Sequence, residues 1–376
     1  MSNQKKKLFI DLTGLARTIT GIENYALNIS KAILKSCKDD VVCYLLFRKF
    51  IHPEFLEFKD RHILKISPFD SQILTEQLYI PFYIKTNRFD YCIFACFPPG
   101  LLVRKRIISV CYDAAMWKYK ETLSLKNKIY FRPLTELALK KADKILTISN
   151  SSEIEIGHYF PSLKDKITNI SAALPGSFSE IKFADYDRIV EKFGIKKKYI
   201  ISVGSLEPRK NLKFLIQNIA PLLIEADINL VIVGRKAWGS SDIETLINTL
   251  KVGNRIILTG YVSTTELQSL YQFSECFVFP SLYEGFGFPI LEAFSCGCPV
   301  IASNCSSIPE VAGNAAILIN PLDGNELIEK IKLIVNNPAY KENFRIKGYE
   351  QLKKFSWQKC AEKFWLIYDK THKIIL

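Results

Sequence analysis

A short apolar run, Cys276-Phe-Val-Phe279, leads into Gly285, Gly287 and Pro289, and this succession constrains the fold more than any other stretch of the chain. Four apolar residues bounded by turn signals read as a buried strand. Proline is favoured in the first turn of a helix, where a missing N–H costs no hydrogen bond, so a helix is expected to open at about Pro289. A strand that runs through a glycine turn into a helix is half of a βαβ unit, and the strand that follows must lie parallel to it. The same succession recurs. Leu8–Asp11, Val41–Phe47, Tyr91–Phe97, Arg106–Cys111, Lys144–Ser149, Tyr199–Gly204, Ile228–Gly234 and Arg255–Gly260 read as strands, with helix-like stretches between them, Asp70–Ile84 among these. Such alternation predicts an α/β fold, with helices on both faces of a parallel sheet. A chain of 376 residues exceeds what one core usually holds. Two Rossmann-like domains are therefore expected, 1–180 and 181–355, followed by an amphipathic helix over 356–376 that carries Trp357, Phe364, Trp365 and Tyr368.

The turn after Phe279 has the chemistry of a binding site. Backbone N–H groups at a helix start lack intrahelical partners, and at Gly285 and Gly287 no Cβ keeps a phosphate or a sugar from the main chain. Glu284 and Glu292 flank this turn. Carboxylates repel phosphate but accept hydrogen bonds from hydroxyl groups, so the pairing suits a ligand carrying both, such as a nucleotide sugar. An ordinary βα turn with one solvated glutamate fits the spacing equally well. Arg209 and Lys210 stand between Gly204 and a helix opening at Leu212, which puts a planar guanidinium and a compact ammonium at a second strand end. Both suit phosphate oxygens. Gly14 and Gly21 lie in the loop after the first strand, where open α/β sheets bind ligands, although such a loop alone fits a plain connection. One of the hydroxyls of the stretch from Ser149 to Ser152 is expected to N-cap the helix that follows the Lys144–Ser149 strand, while a Ser149 facing the ligand cleft is the other reading.

Composition narrows the classes further. Of the ten cysteines, Cys43, Cys92, Cys111 and Cys276 fall within strand-like runs, as buried free thiols do. Cys92/Cys96 and Cys296/Cys298 are not joined by a second Cys or His pair at zinc spacing, and the chain has four histidines, so no metal and no cofactor are expected. Residues 1–198 hold 33 Lys and Arg against 21 Asp and Glu, while 199–376 hold 18 against 17. The net charge of +13 thus belongs to the first half. There, Arg104-Lys105-Arg106 and Trp117-Lys118-Tyr119-Lys120, with Lys126 and Lys128, mix cations and aromatic rings as interfacial surfaces do, which predicts peripheral attachment to an anionic membrane. A solvated basic face accounts for the same residues. No recognised module accompanies the charge, so nucleic acid is not an expected partner. Neither first strand is followed by G-x-G-x-x-G, which disfavours an NAD oxidoreductase. No uninterrupted apolar stretch has membrane-spanning length, and Met1–Lys7 runs straight into a strand, so a cytoplasmic chain is expected.

Glu284-Gly-Phe-Gly-Phe-Pro-Ile-Leu-Glu292 resembles the E-x7-E signature of the GT4 family of retaining GT-B glycosyltransferases. Val203-Gly-Ser-Leu-Glu-Pro-Arg-Lys-Asn211 is similar to the phosphate loop of that family, and the stretch from Ser306 to Ala316 is similar to its following segment. The resemblance covers most of the chain and is strongest in its second half. It implies two facing Rossmann-like domains, with the last helix crossing back to the first. It implies that Arg209 and Lys210 meet the charge of a departing diphosphate. Glu284 then takes the hydroxyls of the transferred sugar, and Glu292 those of the ribose. Gly204, Ser205, Gly285, Phe286, Gly287, Phe288 and Ile290 line the donor cradle, Val262 lies against the nucleobase, and Gly14 and Gly21 meet the donor phosphates. Pro289 belongs to the same stretch but has no N–H to give. Tyr112-Asp113 stands where the family usually has His-Asp, and Ser205 stands where many relatives have Arg. These departures keep a second reading open, a non-catalytic GT-B protein that binds nucleotide sugar or glycan. The first reading is a retaining, metal-independent hexosyltransferase moving sugar from a nucleoside diphosphate to a glycan or lipid-linked glycan in surface polysaccharide synthesis. The Glu207-Pro-Arg-Lys-Asn211 variant, frequent among mannosyl-transferring relatives, leans that reading to GDP-mannose.

Overall fold

The computed structural model describes residues 5–16, 21–104, 106–120, 125, 127–178, 181–182, 185–196, 198–235 and 240–373. The chain divides into two compact units, Met1–Ala173 with Ser356–Leu376, and Leu174–Phe355. The first boundary falls after Ala173 rather than near residue 180, and the terminal helix is counted with the first unit.

The first unit is built on seven parallel strands: β1 (Lys6–Asp11), β2 (Val41–Phe47), β3 (Ile63–Ile66), β4 (Tyr91–Phe94), β5 (Ile107–Val110), β6 (Lys144–Thr147) and β7 (Ile167–Asn169). Their order is β3-β2-β1-β4-β5-β6-β7, so the winding reverses between β1 and β4. Phe9, Phe94, Ile107 and Ile145 form part of its core. The edge strand β3 is mostly exposed, which is why no buried apolar run marks it in the sequence; its pairing with β2 decides it. The expected helix over Asp70–Ile84 is a helical segment over 72–87 with a π turn at Thr75–Tyr79 just before Pro81. A proline lacks the N–H of the next bond and crowds the preceding turn, and the π turn absorbs both. Ser149 caps the helix Asn150–Tyr159, its Oγ accepting the Ser152 N–H at 3.0 Å. The last helix, Trp357–Lys373, lies along Gly21–Lys35 within this unit. Trp357 meets Tyr25 edge-on at 5.5 Å, Trp365 donates to Ser36 at 3.1 Å, and Phe364 and Tyr368 are fully buried. Each such ring contributes about 1.5–3 kcal/mol by leaving water.

The second unit repeats the plan with six parallel strands: β8 (Tyr199–Val203), β9 (Asn229–Val233), β10 (Ile256–Gly260), β11 (Phe277–Phe279), β12 (Val300–Ser303) and β13 (Ala316–Ile319), in the order β10-β9-β8-β11-β12-β13. Strands β9, β11 and β12 are buried at every position, the continuous apolar pattern that a parallel sheet covered on both faces requires. Here the winding reverses between β8 and β11, the place where open α/β sheets bind ligands. The two loops that leave those strands are the phosphate-type loop Gly204–Lys210 and the Glu284–Gly287 turn.

Two glycines let the loops after β8 and β9 approach one another. Gly204 takes φ 151°, and a Cβ on Gly234, at φ 158°, would sit 1.9 Å from the Gly204 carbonyl oxygen. Gly234→Ala should therefore destabilise the second unit by at least about 2 kcal/mol, because the clash is with backbone that cannot rotate away. Gly21, the first residue of its helix, has no atom within 4 Å of its Cβ position. Gly21→Ala should stay within about 0.5 kcal/mol of the wild type. Urea unfolding of the three proteins checks both.

Candidate functional site

The chemistry of the second unit gathers where β8 and β11 end. After Gly204 the chain makes a 3-10 turn at Pro208–Lys210, and Asn211, left-handed at φ 58°, turns it into the helix Leu212–Glu225. The turn aims Arg209 and Lys210 at the loop after β11. Lys210 Nζ lies 2.5 Å from Glu284 Oε1, and Arg209 Nη1 lies 3.2 Å from Glu284 Oε2 and 3.3 Å from the Tyr283 carbonyl. Lys210 also sits 5.1 Å over the Phe279 ring, whose face favours a cation. Both members of the closest pair are nearly buried, at 10% and 9% side-chain exposure. Burial opposes the charged form of Glu284, but the Lys210 ammonium and the Arg209 guanidinium hold its carboxyl below the usual range.

Glu207 completes this network, and no role was read for it in the sequence. It accepts from Arg209 Nε at 2.9 Å and from Ser205 Oγ at 2.7 Å. Burial works against its ionisation too, yet Ser205 and Arg209 keep its pKa lowered. Ser205 thus anchors the carboxylate that orients Arg209. Two cations held by two carboxylates form a preset surface for an anion, since none of the four must be gathered from solution when a ligand arrives.

The glycine turn is held from beneath by two hydroxyls that sequence reasoning left without a role. Ser306 Oγ donates to the Glu284 carbonyl at 2.6 Å and accepts the Glu284 N–H at 3.2 Å. Ser307 Oγ lies 2.9 Å from the Glu284 carbonyl and 2.7 Å from that of Phe286. The signal was a hydroxyl pair directly after a buried strand, where side chains reach the neighbouring strand's loop. Gly287, at φ 115°, caps the helix Phe288–Ser295, and its missing Cβ would stand 3.3 Å from Ile290. Gly285 and Ile290 are buried beside it, and Phe286 is clamped between Phe288 and Phe355 at ring distances of 5.1 and 5.8 Å. Pro289 occupies the first turn as expected. Glu292 follows on the same helix, 3.4 Å from the Tyr271 hydroxyl. Burial raises its pKa to about 7 against the pull of Tyr271 and Lys210. Val262 is buried just ahead of the helix Thr264–Gln272, which Ser263 and Glu266 close with a reciprocal capping box.

The remaining residues lie in the first unit. Gly14 packs where β1 and β4 diverge, its Cβ position 2.5 Å from Cys96 and 2.6 Å from the Phe97 ring. Beside it Asp11, not anticipated from sequence, accepts from the Thr13 hydroxyl and N–H at 2.7 and 3.0 Å, and burial raises its pKa to about 6. The loop residues Arg17–Thr20 lie outside the described residues. Tyr112 lies just beyond β5 and spends its phenolic proton inward, on the Ala95 carbonyl, with the Ile22 carbonyl at 3.3 Å and the Tyr25 ring edge-on at 5.4 Å. Burial pushes the phenol well up. Asp113 accepts the Ala115 N–H at 2.8 Å and so starts the short helix Ala115–Lys118.

Residues 185–351 match the family described as glycosyl transferases group 1. O-antigen chain mannosyltransferase B of Escherichia coli is 30% identical over 260 residues, 68% of this chain and 68% of that protein. The serotype-specific mannosyltransferase WbdA of Escherichia coli is 29% identical over 265 residues, again 68% of this chain but 32% of that longer protein. The structure of a sucrose-phosphate synthase from Thermosynechococcus elongatus aligns with a TM-score of 0.71 at 17% identity, over 97% of this chain and 99% of that one. The fold is GT-B. The chain belongs to the group 1 glycosyltransferases, the GT4 family that its motifs resemble, and is a glycosyltransferase.

The raised pKa of Glu292 carries a pH signature. Its folded value of about 7 exceeds the ordinary 4.5, so the folded state keeps the proton longer than the unfolded chain does. Stability must then fall as pH rises from about 4.5 to 7, and the loss is complete above that range. Glu292→Gln should remove this component and exceed the wild type by roughly 1–3 kcal/mol above pH 7, with no advantage below pH 4.5. The difference between the two stability–pH curves isolates Glu292 from Asp11, which both proteins share. A difference that does not change with pH would contradict the assignment.

Proposed function

We propose that the protein is a retaining, metal-independent hexosyltransferase that moves mannose from GDP-mannose to a glycan or lipid-linked glycan acceptor of a surface polysaccharide such as lipopolysaccharide. The observation that carries this reading is the pair of cations, Arg209 and Lys210, fixed by the buried carboxylate of Glu284 at the end of β8. As the bond from the sugar to the diphosphate breaks, negative charge grows on the departing oxygens, and Arg209 and Lys210 neutralise it without reorganising. The acceptor hydroxyl attacks from the face the diphosphate leaves, and its proton passes to the departing oxygen, which keeps the anomeric configuration. Glu284 accepts from hydroxyls of the transferred sugar. Glu292, on the same helix, accepts from the ribose once deprotonated. Pro289 has no N–H and the Ile290 N–H is bonded to the Gly287 carbonyl at 3.0 Å, so Gly287 and Phe288, not Ile290, are the amides that complete the cradle. Relatives described as O-antigen mannosyltransferases support mannose as the sugar and a surface polysaccharide as the product.

GDP should raise the melting temperature in proportion to the logarithm of its concentration, and more than UDP or ADP does. Lys210→Gln, which keeps a donor for Glu284 but removes the charge, should lower turnover of GDP-mannose by about 10²-fold while changing GDP affinity much less. Adding Mg²⁺ or Mn²⁺ to chelator-dialysed protein should leave turnover unchanged. GDP binding without turnover on any glycan acceptor would favour the non-catalytic reading, and a tenfold gain with either ion would overturn metal independence.

The first unit supports a membrane-facing role, with a changed cast of residues. Trp117, expected at an interface, is only 7% exposed; its indole donates to Glu136 at 2.9 Å and packs edge-on to Phe160. Lys118 is paired with Glu155 at 2.6 Å. Lys105 and Lys126 lie outside the described residues. Among the described residues of the same stretches, Leu125 and Ile129 are 72% and 69% exposed, Lys120 and Lys128 are exposed, and Leu102, two residues before the exposed Arg104, is 61% exposed. Apolar side chains beside cations suit an anionic leaflet, where each cation contributes about 1 kcal/mol. No helix among the described residues is long and apolar enough to cross a membrane. The protein should float with liposomes containing anionic lipid at low salt, and Lys120→Glu/Leu125→Ser/Lys128→Glu/Ile129→Ser should stay in solution. Equal flotation of both would remove the assignment.

A further inference from the structure

Away from the donor residues, in the first unit, three side chains with soft ligand atoms meet in the core. Cys37 follows the helix Gly21–Lys35, Cys43 lies on β2, and His62 immediately precedes β3. They are 6%, 0% and 4% exposed, and their ligand atoms all lie within 4.8 Å of one another. The two Sγ atoms are 3.7 Å apart. Two thiolates bound to one zinc at about 2.3 Å each, at the tetrahedral angle, stand about 3.8 Å apart, so the sulfurs already span one edge of a tetrahedron. A disulfide would require the same pair to close to about 2.05 Å. His62 Nδ1 accepts the Cys43 N–H at 3.3 Å, long for such a bond, and its buried Nε2 has no partner at hydrogen-bonding geometry, with the Leu34 carbonyl the backbone group that acts on the ring. A ring nitrogen held in the core with so little hydrogen bonding is suited to a metal.

We propose that Cys37, Cys43 and His62 form a zinc site in the core of the first unit. Donor chemistry suits zinc, because thiolate and imidazole are its usual ligands and two thiolates with a neutral imidazole neutralise Zn²⁺. On binding, each thiol loses its proton to solvent, and a water or other small ligand fills the fourth position. The ion would tie the end of the first helix and the exposed edge strand β3 to the sheet. It is separate from the transfer chemistry, which the proposal leaves free of metal.

Cobalt(II) is the probe, because thiolate ligation gives it an intense charge-transfer band. Reduced, chelator-dialysed full-length protein titrated with Co²⁺ should develop such a band that saturates at one equivalent and disappears on adding Zn²⁺. Cys37→Ser/Cys43→Ser should lose the band, while Cys305→Ser, altering a thiol outside the core, should keep it. Should the double variant fail to fold, alkylation of the wild type decides: stoichiometric Zn²⁺ should slow labelling of Cys37 and Cys43 severalfold and leave Cys305 unchanged. A wild type with no saturable band, a band undiminished in a folded double variant, or labelling at Cys37 and Cys43 that ignores zinc would each overturn the site.

Discussion

The ion cluster of Lys210, Arg209 and Glu284 is the interaction on which the second unit's architecture converges. A buried carboxylate is tolerated only when paired and hydrogen-bonded, and breaking such a pair by removing one partner costs about 3–5 kcal/mol. The cluster therefore fixes the loop after β8 against the loop after β11, two segments more than seventy residues apart in sequence. Ser205 and Glu207 hold the cations from one side, while Ser306 and Ser307 hold the Glu284 backbone from the other. The same set of bonds that makes the site rigid makes this part of the sheet's edge a single structure.

The sheets supply the frame for that cluster. In each unit the winding reverses between the first and the fourth strand, so that two neighbouring loops diverge and leave room above the sheet. In the second unit the room is bounded by the Gly204–Lys210 loop and the Glu284–Gly287 turn. In the first it is closed tightly where Gly14 meets Cys96 and Phe97, above the buried carboxyl of Asp11. One topology thus serves two purposes, and glycine decides how closely the loops approach in both.

Much of this was legible in the sequence because the signals are local. Buried parallel strands are short continuous apolar runs, and β8, β9 and β11 announce themselves in that way. Pro289 and the glycines before it mark a helix start by backbone geometry alone. The edge strand β3 was less legible: it is mostly solvent-exposed, and its pairing with β2 is what makes it a strand. Trp117 was misread because an aromatic ring among lysines looks interfacial, and only the packing of Phe160 and the bond to Glu136 show that the ring points inward. The cysteines were judged by zinc spacing along the chain, which cannot detect Cys37, Cys43 and His62, brought together from a helix end and two strands.

The sequence by itself determined the alternation of strand and helix, the two glycine-bounded loops and the charged residue types within them, since each depends on the covalent properties of a few adjacent residues. Tertiary structure alone decided which charges meet. Lys210 finds Glu284, Ser205 finds Glu207, and Ser306 finds the Glu284 backbone because strand order places β11 beside β8 and β12 beside β11. The environment of Glu292 was settled in the same way, since a carboxyl has an ordinary pKa in any unfolded chain and is raised to about 7 here only by the burial that folding imposes.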